Sequence, residues 1–147
     1  MQSRNRLTYL TTIAASALVG LALGAVAMSS LAENTGPTEH KGLTVESLGI
    51  ISEESMQAQL GLSGYVLQLR SITIDPGGQI AQHDHATRPG LVKVVSGTWT
   101  EGRPEGEMDY AESDGTAILE DSATVHWFWN RGSEPATALV CDIVPAS

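Results

Sequence analysis

The chain has 147 residues, a length that supports one domain with a single modest core rather than two domains. Its net charge of −9 disfavours nucleic acid and anionic lipid surfaces as partners, because both repel an acidic protein. The single cysteine, Cys141, excludes an intrachain disulfide.

The N-terminus has the features of an export signal. Arg4 and Arg6 precede an apolar stretch at residues 13–28, and Ser30–Ala32 has the small-x-small form of a signal-peptidase site. We therefore expect residues 1–32 to be a signal peptide and the protein to be exported, to the periplasm or beyond the cell. The alternative is an uncleaved N-terminal anchor that tethers the protein to the membrane.

A polar arm is predicted between this signal and the folded domain. Residues 33–42 contain Gly36 and Pro37, which indicates a flexible segment ahead of a domain at residues 43–147. His40 in this arm is expected to be solvated rather than a metal ligand.

Strand patterns dominate the rest of the chain. Short alternating or apolar runs are separated by turns rich in Gly, Pro, Asn and Asp, which is typical of an antiparallel sandwich or barrel, so the predicted fold class is all-β. Residues 52–60 read as a helical turn or a loop, and Asp75–Gly78 reads as a strong turn. We expect strands at residues 43–51, 65–74, 79–85, 91–100, 108–110, 117–119, 125–129 and 136–144.

Two histidines lie one residue apart in one of these strands. Because side chains of a strand alternate between its faces, His83 and His85 project from the same face and are able to contact one ion. Imidazole is a ligand for Fe, Mn, Ni, Cu and Zn alike. A lone His-x-His pair is weak support, since exposed strands carry such pairs by chance.

The surroundings of this pair resemble the first conserved motif of the cupin superfamily. The pattern runs Gly77-x5-His83-x-His85, and Gly97 follows twelve residues later. In cupins the two histidines of this motif line the interior of a small jelly-roll β-barrel and bind a metal.

A second stretch resembles the other cupin motif. It contains His126-x3-Asn130, although the usual proline and glycine of that motif are replaced by Asp121 and Ala123. The resemblance covers residues 65–145, and it implies that His126 joins the two histidines of the first motif. Such a site would hold one divalent transition metal, which would be Fe, Mn, Ni or Zn.

The first motif lacks its usual acidic ligand. In cupins a glutamate lies four or five residues after the second histidine, where this chain has Pro89 and Gly90. Three histidines with open positions for water or substrate are then expected. Glu120 and Asp121 are candidate replacements, and strand parity places Glu120 on the face of His126. Glu120 is therefore a candidate ligand or catalytic base, with an ordinary position on the rim as the alternative.

Two further residues are candidates for contact with a substrate. Phe128 shares the face of His126 and is expected to wall the pocket. Arg70 would bind a substrate carboxylate through two hydrogen bonds if its face of the strand lines the pocket. A surface salt bridge is the alternative for Arg70.

The resemblance leaves two functions open. One is a metal-dependent enzyme of the dioxygenase or lyase type that acts on a small oxygenated substrate. The alternative is a non-catalytic module that binds a metal or a small ligand, which the missing glutamate favours. An open, partly polar cavity would favour the enzyme, and a cavity filled by Phe128 would favour the binding module. Cupins commonly pair through edge strands, so a homodimer is expected, with residues 43–51 as a candidate for the exchanged segment.

Overall fold

The computed structural model describes residues 34–146. The predicted signal peptide or anchor, residues 1–32, lies outside the described residues. Within the described part of the chain, no helix has the length and apolar character needed to cross a bilayer.

Eight strands and one helix make up the described residues, which confirms the all-β prediction. Most of the strands are short, because turns rich in Gly, Pro and Asn interrupt the apolar runs; the 20-residue β2 is the exception. The elements are β1 Lys41–Ile51, α1 Glu53–Leu60, β2 Tyr65–Asp84, β3 Gly90–Ser96, β4 Thr98–Arg103, β5 Gly106–Ala111, β6 Ile118–Glu120, β7 Val125–Trp129 and β8 Ala136–Pro145.

All strands belong to one antiparallel sheet that curls into a half-barrel. The order of neighbours is β5-β4-β7-β2-β8-β3-β6, and β1 pairs with β2. The long strand β2 is central to this topology, since its first half pairs with β8 and its second half pairs with β7. This arrangement agrees with the predicted small jelly-roll barrel.

The expected turn at Asp75–Gly78 does not reverse the chain. Gly77 has a positive φ of 70°, as turn glycines often do, but β2 continues through this segment and only changes its partner from β8 to β7. Backbone hydrogen bonds from Gly77 to Asn130 and from Asn130 to Gly78 hold the change of direction. A bend within one strand and a turn between two strands share the same residue preferences.

The expected single strand at 91–100 is two strands in the structure. Gly97, with φ of 71°, separates β3 from β4, and a Cβ at this position would lie 2.8 Å from the Cβ of Ala136. Both the backbone angle and the close approach of β8 require glycine here.

The apolar core fills the concave side of the sheet. Its members alternate along the strands with outward-facing residues, and each contributes on the order of 1–3 kcal/mol by leaving water. The buried cluster consists of Ile72, Ile74, Ile80, Val92, Val94, Trp99, Ile118, Phe128, Ala136, Ala138 and Val140.

The segment before β1 makes specific contacts with the barrel. Its backbone bonds to Gln82, through the Gly36 N–H to the side-chain oxygen and the Pro37 carbonyl to the Gln82 N–H. The buried ring of Trp127 lies against this segment, because a Cβ on Gly36 would come within 2.3 Å of it. A Cβ on Gly102 would meet the same ring at 2.0 Å, so the ring packs against two glycines.

Candidate metal centre

Three histidine rings meet inside the half-barrel. His83 of β2 is the register partner of His126 on β7, and His85 lies two residues further along β2. The ring centroids are 4.7–5.0 Å apart in all three pairs. The structure thus brings together the three residues that the sequence proposed as ligands.

Each ring is oriented by a hydrogen bond at Nδ1. The Nδ1 of His83 lies 2.8 Å from the Ala81 carbonyl oxygen, and the Nδ1 of His85 lies 2.8 Å from the Arg88 carbonyl oxygen. A carbonyl oxygen only accepts, so both Nδ1 atoms carry hydrogen and both Nε2 atoms keep a free lone pair when the rings are neutral. This is the tautomer in which Nε2 acts as a metal ligand.

The third ring is oriented by a buried carboxylate. The Nδ1 of His126 lies 2.7 Å from Oε1 of Glu101, and both side chains are at most 2% exposed. The Nε2 of His126 then faces the Nε2 of His85 at 3.0 Å. Two lone pairs cannot face each other at this distance without a positive charge between or beside them. A proton or a metal cation is therefore required at this point.

A fourth donor comes from β6. Oε1 of Glu120 lies 3.4 Å from the Nε2 atoms of both His85 and His126, and Glu120 is only 5% exposed. Its other oxygen, Oε2, is buried without a hydrogen-bond partner. Ligand atoms of His83, His85, Glu120 and His126 all lie within 4.8 Å of one another. The sequence analysis proposed Glu120 by strand parity, but Glu120 ends β6 and His126 lies on β7, so parity along one strand does not apply. The curl of the sheet brings the two side chains together instead.

The carboxylate of Glu120 enters through the gap left by Gly90. Gly90 on β3 is the register partner of Glu120 on β6, and a Cβ on Gly90 would lie 2.4 Å from Oε2 of Glu120. Gly90 is one of the two positions where cupins usually carry the acidic ligand. A carboxylate on the neighbouring strand thus occupies the space that a side chain at position 90 would need.

These donors fit a divalent transition metal. Protein nitrogen and carboxylate ligands bind such ions at about 2.0–2.2 Å, which requires neighbouring donors to be about 3.0–3.5 Å apart. The separations of 3.0 Å and 3.4 Å among His85, His126 and Glu120 meet this requirement. Three imidazoles and one carboxylate suit Fe, Mn, Ni or Zn, and they do not select among them.

The protonation behaviour of the rings agrees with this chemistry. Burial lowers the pKa of His83 to about 4 and also lowers the pKa of His85, so both rings are neutral at pH 7. Burial also acts to lower the pKa of His126, but Glu101 and Glu120 outweigh it and raise that pKa above its usual value. Without a metal, His126 is thus the ring that carries the required proton.

Glu101 and Arg103 are functional candidates that the sequence analysis missed. Arg103 Nη2 lies 2.9 Å from Oε1 of Glu101, the same oxygen that accepts from His126. Burial raises the pKa of Glu101, but the hydrogen bonds from His126 and Arg103 hold it below its usual value. The expected strand ended at Thr100, directly before Glu101, whereas β4 continues to Arg103. Extending that strand by one residue would have included Glu101.

A cavity of about 260 Å³ opens beside the four donors. It is partly polar, since its lining includes His83, His85 and Glu120 as well as Phe128 and Trp99. Phe128 is 1% exposed and its ring lies 4.6 Å from that of His126, so it walls the cavity without filling it.

Two residues reach the cavity from outside the motifs. Arg70 lines it, and its Nη2 bonds to Oδ2 of the buried Asp142 at 2.8 Å, so its ion pair is not at the surface. His40 is exposed, but its Nδ1 accepts the Ala81 N–H at 3.0 Å and its ring lies at the cavity edge. Ala81 also orients His83, through its carbonyl oxygen.

Comparison with known structures supports the fold. The Cupin_2 domain of an XRE family transcriptional regulator from Enterobacter cloacae is 16% identical, with a TM-score of 0.54 over 72% of this chain and 100% of that one. KdgF from a Halomonas species is 15% identical, with a TM-score of 0.53 over 78% and 89% of the two chains. The polyketide cyclase RemF from Streptomyces resistomycificus is 19% identical, with a TM-score of 0.54 over 76% and 70%.

The sequence itself matches one family. None of the functionally curated proteins matches this chain. Residues 70–142, which run from Arg70 on β2 to Asp142 on β8 and include all four donors, match the family model described as Cupin_2, cupin domain. This chain is therefore a small cupin-domain protein of that family.

Proposed function

We propose that the protein binds one divalent transition metal through His83, His85, His126 and Glu120, and acts on a small oxygenated substrate in the adjoining cavity. The observation that carries the proposal is the convergence of four donor atoms, three from histidines and one from Glu120, within 4.8 Å of one another. When bound, the metal would supply Lewis-acid or oxygen-activating chemistry of the dioxygenase or lyase type.

The residues around the donors have separate tasks in this proposal. The Ala81 and Arg88 carbonyls and Glu101 fix the three rings so that each Nε2 points inward. Phe128 and Trp99 keep water from one side of the cavity. Oε2 of Glu120, which has no hydrogen-bond partner, is available to accept a proton from a bound substrate.

The alternative is a non-catalytic module that binds a metal or small ligand. Its main support was the missing glutamate of the first motif, and the position of Glu120 weakens that support. The open, partly polar cavity also favours the enzyme, since a relic site would be expected to fill with apolar side chains.

Elemental analysis of the protein purified without added metal tests the proposal. We expect about one equivalent of Fe, Mn, Ni or Zn, which is lost in the double variant His83→Ala/His126→Ala. His40→Ala is the matched control, because this histidine lies outside the donor group, and it should retain the metal. Circular dichroism checks that the double variant is folded. Metal that is absent, or that persists in the folded double variant, would refute the site.

We further propose that the protein is exported, because residues 1–32 have the features of a signal peptide. We also propose that it forms a homodimer through β1. Several apolar side chains of β1 are 46–62% exposed, and one edge of this strand lacks a partner among the described residues. An exposed apolar edge strand is a ready template for pairing with a second copy. The exposed apolar residues of β1 are Val45, Leu48, Ile50 and Ile51.

Light scattering measures the oligomeric state directly. We expect twice the mass of the chain at micromolar concentration, and a monomer after Ile50→Glu, which places a charge on the pairing face. Glu46→Gln, on the same strand, should leave the dimer intact. A monomeric mass for the unaltered protein would contradict the proposed dimer.

A further inference from the structure

Unsatisfied polar atoms concentrate around one cavity. Among the described residues, four buried side-chain nitrogen or oxygen atoms lack a hydrogen-bond partner. Three of them belong to residues that line the 260 Å³ cavity, namely Nε of Arg70, Oε2 of Glu120 and Oδ1 of Asp142. Buried polar groups without partners are costly. Nε of Arg70 needs an acceptor, whereas the two carboxylate oxygens need a donor or a cation, so a ligand with both an acceptor and an O–H donor would complete all three atoms.

Two arginines share a single carboxylate at this cavity. Asp142 is 1% exposed and bonds to Nη2 of Arg70 through Oδ2 at 2.8 Å. Nε of Arg88 lies 4.0 Å from the same oxygen, too far for a good hydrogen bond. Asp142 thus bonds to only one of the two guanidinium groups, and Arg88 has no carboxylate within hydrogen-bond distance among the described residues. The charge of Glu120, which also lines the cavity, is directed to the histidines.

Register places this charged group beside the metal donors. Gly90 on β3 pairs with Glu120 on one side and with Asp142 on the other. A Cβ on Gly90 would lie 2.4 Å from Oε2 of Glu120 and 3.0 Å from the Cβ of Asp142. The two acidic side chains thus border the same point from opposite sides. A small molecule in the cavity is able to contact both groups at once.

We infer that Arg70 and Arg88 form a carboxylate-binding subsite, held in place by Asp142, and that the substrate is a small carboxylate with a second oxygen-bearing group. The subsite deepens the proposed function, since the second oxygen would face the metal donors. The guanidinium fork matches a carboxylate in shape and charge, and a cavity of about 260 Å³ has room for a small molecule.

Ligand-observed NMR titration with propanoate, and with the isosteric neutral propanamide, tests the subsite. We expect the protein as purified to bind propanoate at least about tenfold more tightly than propanamide. Arg88→Gln should lose about tenfold in propanoate affinity and leave propanamide unchanged. Arg88 is the first choice because its side chain is 32% exposed, whereas losing Arg70 leaves Asp142 buried without its closest partner.

Further variants separate charge from geometry. Arg70→Lys keeps the charge beside Asp142 but loses the fork, so it should also weaken propanoate binding. Arg131→Gln is the matched control, because it removes one cation from an exposed pair with Glu107. It should change neither affinity. Equal binding of the two probes, or unchanged propanoate affinity in Arg88→Gln, would overturn the subsite.

Repeating the titration after chelator treatment separates this inference from the metal. A preference for propanoate that persists without metal supports the arginine subsite, even if elemental analysis were to find no metal in the protein. A preference that disappears on chelation would mean that the carboxylate binds only the metal, and the subsite would be rejected.

Discussion

Replacing Gly90 by alanine should remove most of the metal affinity while leaving the fold nearly unchanged. A Cβ at this position would lie 2.4 Å from Oε2 of Glu120, so the carboxylate must move away from the histidines. The displaced atom is the end of a flexible side chain, and the backbone of Gly90 has no positive φ. The new Cβ would also lie 3.0 Å from the Cβ of Asp142, so β8 must shift slightly and a small loss of stability is expected. We expect a loss of roughly a hundredfold or more, at the upper end of what losing a ligand's supporting partner costs.

Competition with a chromophoric chelator measures the metal affinity, and thermal unfolding measures stability. Gly115→Ala is the matched control, because a Cβ there meets no atom within 4 Å, and it should bind metal normally. The double variant Gly90→Glu/Glu120→Ala moves the carboxylate from β6 to β3 and should recover much of the affinity lost in Gly90→Ala. Unchanged affinity in Gly90→Ala would show that Glu120 is not a ligand.

The exchange between Gly90 and Glu120 shows what local pattern is able to predict. His83 and His85 were paired from their spacing, because strand alternation fixes which residues share a face. The resemblance to the second cupin motif added His126. The missing glutamate was also visible in the sequence. Glu120 was one of two candidate replacements, but its position opposite Gly90 could not be predicted, since it depends on the pairing of β6 with β3. Register between distant strands is determined by the whole barrel.

β2 shows the same limit of prediction from local sequence. Asp75–Gly78 has the composition of a turn, yet the strand continues because β8 pairs with its first half and β7 with its second half. The expected strand limits at 125–129 agree with β7, where apolar residues run unbroken between turn residues. Local composition thus indicated where the strands lie. Whether a turn-like segment reverses the chain depended on which strands pair on either side of it.

Glu101 was missed because its role also depends on the pairing of distant strands. Its replacement should have the second large effect on metal affinity. Glu101 lies opposite Phe128 in the pairing of β4 with β7, which directs its carboxylate to Nδ1 of His126. Glu101→Leu removes that acceptor and leaves the buried Nδ1–H without a partner. We expect the metal affinity to fall 10–100-fold, because the ring loses the group that sets its orientation and basicity. The free energy of unfolding should fall by about 1–3 kcal/mol.

The same chelator competition and denaturant unfolding measure both effects. Arg103→Gln is the informative comparison, because it removes the other partner of Glu101 and leaves the bond to His126 in place. It should cost less metal affinity than Glu101→Leu, since Arg103 acts on the ring only through the carboxylate. If both variants lose the same affinity, the charge of the pair matters more than the hydrogen bond to His126. If Glu101→Leu binds metal as the unaltered protein does, then His126 is held by packing against Phe128 rather than by the carboxylate.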